Sequence, residues 1–257
     1  MLQVNRRTFN IWEGIYDRFP KEARESAWDS DKWVDSQMPT ALPEIEKIKS
    51  PNSVSESTVI HKYPLAPIIA LLATQKNAPV RVLDFGGGLA QTFLDVVASL
   101  PNPRAVEFTV VESGPICQRG RMIHENLDKV SFHENLPDGD ENFDIIHAGS
   151  SLHYVRDWKE MLKRFSDLGP QLIMLSGLMA GEIKTFVTYQ NYYGSKCPVW
   201  FWDIRDILDA LNALNFNLIY KSLLASSYLG IVQPLPMDNF PVEYRLHRKC
   251  NLIFTSR

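Results

Sequence analysis

The chain has 257 residues, enough for one α/β domain with an extension, and its formal charge of −3 with no run of Lys or Arg argues against a nucleic-acid partner that needs phosphate neutralisation. Cys117, Cys197 and Cys250 are odd in number, far apart and without a Cys-x-x-Cys pair, which indicates neither a disulfide framework nor a zinc site and fits a reducing cytoplasm. The N-terminus lacks an apolar stretch of signal-peptide length, and the most apolar run, 63–73, is too short to span a bilayer and carries Pro64 and Pro67.

Residues 9–33 hold Trp12, Tyr16, Phe19, Trp28 and Trp33 among acidic residues. Rings this dense either pack on a main domain as an arm or form a lid or acceptor-site wall. Residues 39–57 are richer in Pro, Ser, Glu and Lys and suit a hinge with a short helix over 42–48. A helix is expected over 67–75, where Ile68, Ile69, Leu71 and Leu72 recur. The stretch VRVLDFGGGLAQ at 80–91 then reads as a strand, a tight turn and a helix start. Gly86, Gly87 and Gly88 allow positive φ and let a ligand lie against bare backbone. A dinucleotide fingerprint needs a further glycine where Gln91 stands, so that alternative is weakened.

A helix with one apolar face follows over 89–100, and Pro101 and Pro103 break the chain before a β-branched strand over 106–111. That strand ends at Glu112. An acid at this tip can accept hydrogen bonds from both ribose hydroxyls of a nucleoside; the other reading is a solvent-facing loop Glu. A helix over 113–127, a strand over 130–133 and a strand over 143–148 complete the first half. Residues 171–176 read as a buried parallel strand. The stretch 177–199, with Tyr189, Gln190, Tyr192 and Tyr193, is long for a loop and is either an acceptor-pocket insertion or a packed excursion. Asp203 is placed to cap a helix, with Trp202 and Ile207 able to form a staple. Asn215 precedes a strand over 217–224 at a position that tolerates positive φ, and the last strand is expected over 250–255.

Asp84 with the glycines behind it resembles the first motif of class I S-adenosylmethionine (SAM) methyltransferases, and the order of elements from Pro67 onward is similar to theirs. The resemblance implies a Rossmann-like α/β fold with a seven-stranded, mostly parallel sheet whose last strand is antiparallel, spanning 61–257 behind an arm or lid over 1–60. It implies SAM as cofactor, held by Asp84, Gly86, Gly87, Gly88 and Glu112, with the adenine shared among Glu134, Asn135 and Leu136. The family's amine-cradling Asn-Pro-Pro-Tyr is absent after the fourth strand. SLHY at 151–154 resembles small-molecule methyltransferases instead, which makes His153 the first candidate base and His147 the second, with Tyr154 at the pocket and no metal cluster. WEGIY at 12–16, DSDKW at 29–33 and FVTYQ at 186–190 look like methyltransferases of bacterial surface-polysaccharide clusters, which shifts the acceptor toward a glycan. The expected activity is O-methylation of a small or glycan-like acceptor. A SAM-binding protein without turnover and a nucleotide-sugar-modifying Rossmann enzyme stand as alternatives, the second disfavoured by Gln91 and the lack of a Tyr-x-x-x-Lys pair.

Overall fold

The computed structural model describes residues 10–20, 31–49, 63–100, 102–137, 141–192, 194–224, 226–228 and 231–257. Short β-branched runs between turn residues become strands β2 (Val80–Phe85), β3 (Val106–Val111), β4 (Val130–His133), β5 (Ile145–Gly149) and β6 (Leu172–Leu178). With β10 (Phe216–Leu224) and β13 (Lys249–Ser256) they form one seven-stranded sheet in the order β10-β13-β6-β5-β2-β3-β4. The pairs from β6 to β4 are parallel, whereas β13 runs antiparallel to both β6 and β10, as expected of the last strand.

Alternate residues of each strand point to opposite faces, so each parallel strand feeds two cores. On one face Val82, Phe108, Val110 and Ile145 pack against α1 (Asp31–Lys49), α2 (Leu65–Ala73), α3 (Gln91–Ser99) and α4 (Gly114–Ile123). On the other, Leu83, Ile146, Ile173 and Leu175 pack against α5 (Trp158–Asp167) and α6 (Ile204–Ala213). From β2 the chain moves outward to β3 and β4, then returns to β5 on the other side of β2. The strand order thus reverses between β2 and β5, and open α/β sheets form their ligand crevice outside the carboxyl ends of the strands at such a point.

Two expectations need correction. The helix read over 42–48 begins eleven residues earlier, at Asp31, because Pro39 and Pro43 are carried inside α1 rather than breaking it, and Trp33, Val34, Ala41 and Ile45 give it a buried stripe. The 177–199 loop is a folded hairpin: β8 (Phe186–Tyr192) pairs antiparallel with β9 (Ser195–Asp203) around Gly194 at φ +82°. The arm's β1 (Trp12–Tyr16) adds to β8, and β7 (Ala180–Gly181) to β9, giving a second, four-stranded sheet. Trp12, Phe186, Val199, Phe201, Met237 and Phe240 make its separate core. Asp203 caps α6 by accepting the Arg205 N–H at 3.0 Å, and Asn215 sits at φ +63°, both as read from the sequence. A small hairpin of β11 (Ser226–Tyr228) and β12 (Ile231–Gln233) follows β10. Trp28 and the 50–57 part of the expected hinge lie outside the described residues.

Candidate active site

The chain leaves β2 through Gly86 and Gly88 at φ +69° and +58°. Each glycine of the triplet meets something different. A Cβ on Gly86 would overlap the Ser151 side chain, and one on Gly87 would lie 2.5 Å from Asp84 Oδ2. Among the described residues, one on Gly88 would meet only Trp33 of α1, at 3.6 Å.

Glu112 stands at the tip of β3 beside this turn. Its Oε1 accepts the Gly88 N–H at 3.1 Å and its Oε2 accepts the Ser113 N–H at 3.0 Å. The tip of β4 is adjacent, with the Glu112 N–H donating to His133 O at 3.0 Å. Beyond it Glu134 and Asn135 are exposed and Leu136 is half-buried. The Glu134 carboxylate lies over the first turn of α4, 3.3 Å from where a Gly114 Cβ would stand. Glu112, Glu134, Asn135 and Leu136 thus follow the carboxyl ends of β3 and β4, at the same end of the sheet as the glycine turn after β2.

Asp84 is fully buried beneath the turn. It is the ladder neighbour of His147 across β2 and β5, and His147 Nδ1 lies 2.8 Å from its Oδ1. Asp84 Oδ2 and His147 Nε2 have no hydrogen-bond partner among the described residues. A buried polar atom left without a partner is uncommon in a folded protein and marks a place for a ligand or ordered water.

A short 3₁₀ turn, Leu152–Tyr154, follows β5. His153 in it is buried, and its Nδ1 has no partner among the described residues. Burial, with the Lys249 charge second, holds its imidazole well below the ordinary value, so the ring is neutral at physiological pH. The Tyr154 ring lies 4.3 Å from it, and the Tyr154 hydroxyl donates to Gln190 Oε1 at 2.9 Å. The three thiols are buried; burial raises Cys117 and pushes Cys250 up to about 11, which makes them poor nucleophiles.

The chain matches the family model described as a methyltransferase domain over residues 59–221, more than half its length. It belongs to that family. The Burkholderia thailandensis 1,6-didemethyltoxoflavin-N1-methyltransferase, solved with 1,6-didemethyltoxoflavin and S-adenosylhomocysteine (SAH), is similar in fold at a TM-score of 0.50 and 14% identity, covering 93% of this chain and 94% of that one. A complex between the Haloferax volcanii Trm112 methyltransferase activator and a methyltransferase gives a match at a TM-score of 0.52 and 12% identity, over 91% of this chain and 99% of that chain. Among curated proteins none matches the chain in sequence.

Around the methyltransferase domain's crevice, the expected acceptor residues do not all face one way. Gln190 is buried and joined to Tyr154, and Tyr192 on the same face of β8 packs toward the core of α1 to α3. Tyr189 points to the opposite face, its ring 5.3 Å from Tyr16 beside a cavity of about 400 Å³ lined also by Ile15, Asp17, Arg18 and Pro20. Alternation along a strand explains the split, since neighbours cannot share a face. Tyr193 lies outside the described residues. The sequence reading passed over Tyr63 and Ser150, which meet at 3.2 Å above the ends of β5 and β6. Neither belongs to a motif; Ser150 adopts φ +57°, a backbone state that its residue type does not announce. Among the described residues no helix is long and apolar enough to cross a membrane, and no group of three or more His, Cys, Asp or Glu could hold a metal ion.

Proposed function

We propose that the protein is a SAM-dependent O-methyltransferase acting on a small or glycan-like acceptor. The observation that carries the donor is Glu112, fixed at the tip of β3 beside the glycine turn by accepting the Gly88 and Ser113 N–H groups, where an acid can face the ribose of a nucleoside. When bound, SAM supplies an electrophilic methyl on a sulfonium that leaves as a neutral thioether. The protein's task is then to align the acceptor in line with that methyl and to keep water out. A hydroxyl is a weak nucleophile unless its proton is taken in the transition state. His153, neutral and with Nδ1 lacking a partner among the described residues, is the group assigned to take it, and His147 is second. Tyr154 and Gln190 line the acceptor side, and the cavity at Tyr16 and Tyr189 offers two rings to a sugar. The 1–60 segment is read as an arm or lid to the 61–257 domain, a reading supported by Trp33 at Gly88 and by the pairing of β1 with β8. A cytoplasmic role in surface-polysaccharide biosynthesis is the setting that the sequence resemblance favours.

The test is incubation of the purified protein with SAM and nucleotide-sugar or cell-wall extracts, reading SAH release and the methylated atom by mass spectrometry. Tight NAD binding without SAM binding sinks the donor, and a methylated nitrogen sinks the acceptor class. His153→Ala is expected to lower turnover by about a hundredfold or more while SAM affinity stays within a few-fold. Unchanged turnover removes His153 from the mechanism. The closure of both His147 and His153 from solvent favours one second reading, SAM binding without turnover.

A further inference from the structure

At the carboxyl ends of β5 and β6 the backbone is bare. A Cβ on Gly149 would come within 3.2 Å of Tyr63 Cε2, and one on Gly177 within 3.5 Å of the Tyr63 hydroxyl. The ring of Tyr63 therefore runs across both strand ends, close over Gly149 and in ordinary van der Waals reach of Gly177, whose Cβ would first overlap the Ser150 hydroxyl. It packs on His147 at 5.3 Å between centroids, and its hydroxyl lies 3.2 Å from Ser150 Oγ. Ser150 is held at φ +57° with its N–H on Ser176 O at 2.7 Å. A non-glycine residue persists in that conformation only where its surroundings over-determine it, and such residues cluster at ligand clamps. Burial raises the Tyr63 phenol above its ordinary value, so the ring stays neutral and its π face is retained.

The direction in which an elongated nucleoside ligand must lie follows from the sheet. Glu112 marks the ribose on the β3 side of β2, so the other end of the ligand passes over the glycine turn toward β5 and β6. Tyr63 stands there, half-buried, with the Asp84 carboxylate close enough to add a negative charge to its surroundings. We infer, on the reading that SAM is the donor, that the Tyr63 ring is the wall against which the sulfonium rests, so that this protein discriminates charged donor from neutral product. A cation over an aromatic face is attracted by the ring quadrupole, whereas the thioether of SAH carries no charge to attract. Ser150 positions the ring through its hydroxyl.

The test compares SAM and SAH affinities by calorimetry in the full-length protein. In Tyr63→Leu the ratio of the SAM to the SAH dissociation constant should rise about tenfold, while in Tyr63→Phe it should stay within about twofold of the wild type. Fluorinated phenylalanines at position 63 keep the shape while draining the ring face, so SAM affinity should fall stepwise with fluorination and SAH affinity should not. This series serves if Tyr63→Leu does not fold. Equal losses of SAM and SAH affinity, or a flat fluorination series, overturn the inference and leave Tyr63 a packing residue. A wild-type protein that binds neither compound overturns it together with the proposed donor.

Discussion

Gly86 and Gly169 make a paired experiment in which one backbone demand is held constant and one packing demand is varied. Both sit in the left-handed region, at φ +69° and +61°. Among the described residues a Cβ at Gly169 meets nothing within 4 Å, whereas at Gly86 it overlaps the Ser151 side chain, whose hydroxyl is tied to Phe85 O at 2.6 Å and cannot swing away freely. Gly169→Ala should therefore cost only the left-handed penalty, roughly 1–2 kcal/mol. Gly86→Ala adds crowding of about 1–3 kcal/mol, for a total near 3 kcal/mol. In a chain of this size that is a fall in melting temperature of about 6–12 °C. Urea denaturation monitored by tryptophan fluorescence gives both values, and calorimetry on the folded variants gives the effect on SAM. Gly86→Ala should weaken SAM binding and Gly169→Ala should not, because only the first displaces the turn from Ser151 and from the neighbouring Gly88. If the two substitutions cost the same, the packing account of the glycine turn is refuted.

Two further outcomes are expected. Burial and Lys249 hold the folded-state value of His153 well below its ordinary 6.5, so on acidification the unfolded chain takes up the proton first. The contribution is complete above pH 6.5 and is lost as pH falls from there toward the folded value, at up to about 1.4 kcal/mol per pH unit. His153→Gln should remove that slope, and parallel curves of urea midpoint against pH for wild type and variant contradict it. Asn215, at φ +63°, should tolerate Gly within about 0.5 kcal/mol but lose about 1 kcal/mol on change to Ala, as read by thermal unfolding. Equal costs for Gly and Ala place the tolerance elsewhere.

What could be read from the sequence was what depends on neighbours along the chain. The β-branched runs of β3 and β4 fall where expected, the Asp203 cap needs only its own next residues, and the Asn215 turn follows from one residue's tolerance of positive φ. The glycine turn and Glu112 come together because β2 and β3 are consecutive and parallel. What was not legible depends on register between distant segments. Asp84 and His147 are 63 residues apart and meet only because the β2 and β5 ladder sets them side by side. Tyr63 reaches Ser150 across 87 residues of chain, with no motif to signal it. The 177–199 stretch did carry a hairpin signal, Gly194 and Ser195 between two apolar runs, but its length and polar tyrosines read as a loop. Its partner strand, moreover, lies at the opposite end of the chain. Within β8 the alternation was present in the letters, yet which face met the crevice depended on β1 and β9.

The geometry also divides the work of the glycine triplet. A run of three glycines after an acid is easily taken as three positions cleared for a ligand, but two of these are required by the protein itself. Gly86 is bare for Ser151 and Gly87 for the Asp84 carboxylate, which occupies the space below the turn and is held by His147. Gly88 of the triplet has space above it, and among the described residues the first atom a side chain there would meet belongs to Trp33, at 3.6 Å. Its N–H is at the same time committed to Glu112. The turn is therefore fixed from below by a buried acid and imidazole and from the side by the Glu112 carboxylate, before any ligand arrives. Preorganisation of this kind lowers the ordering cost of binding. It also means that a change at Glu112 acts on the turn itself, because it releases the Gly88 N–H.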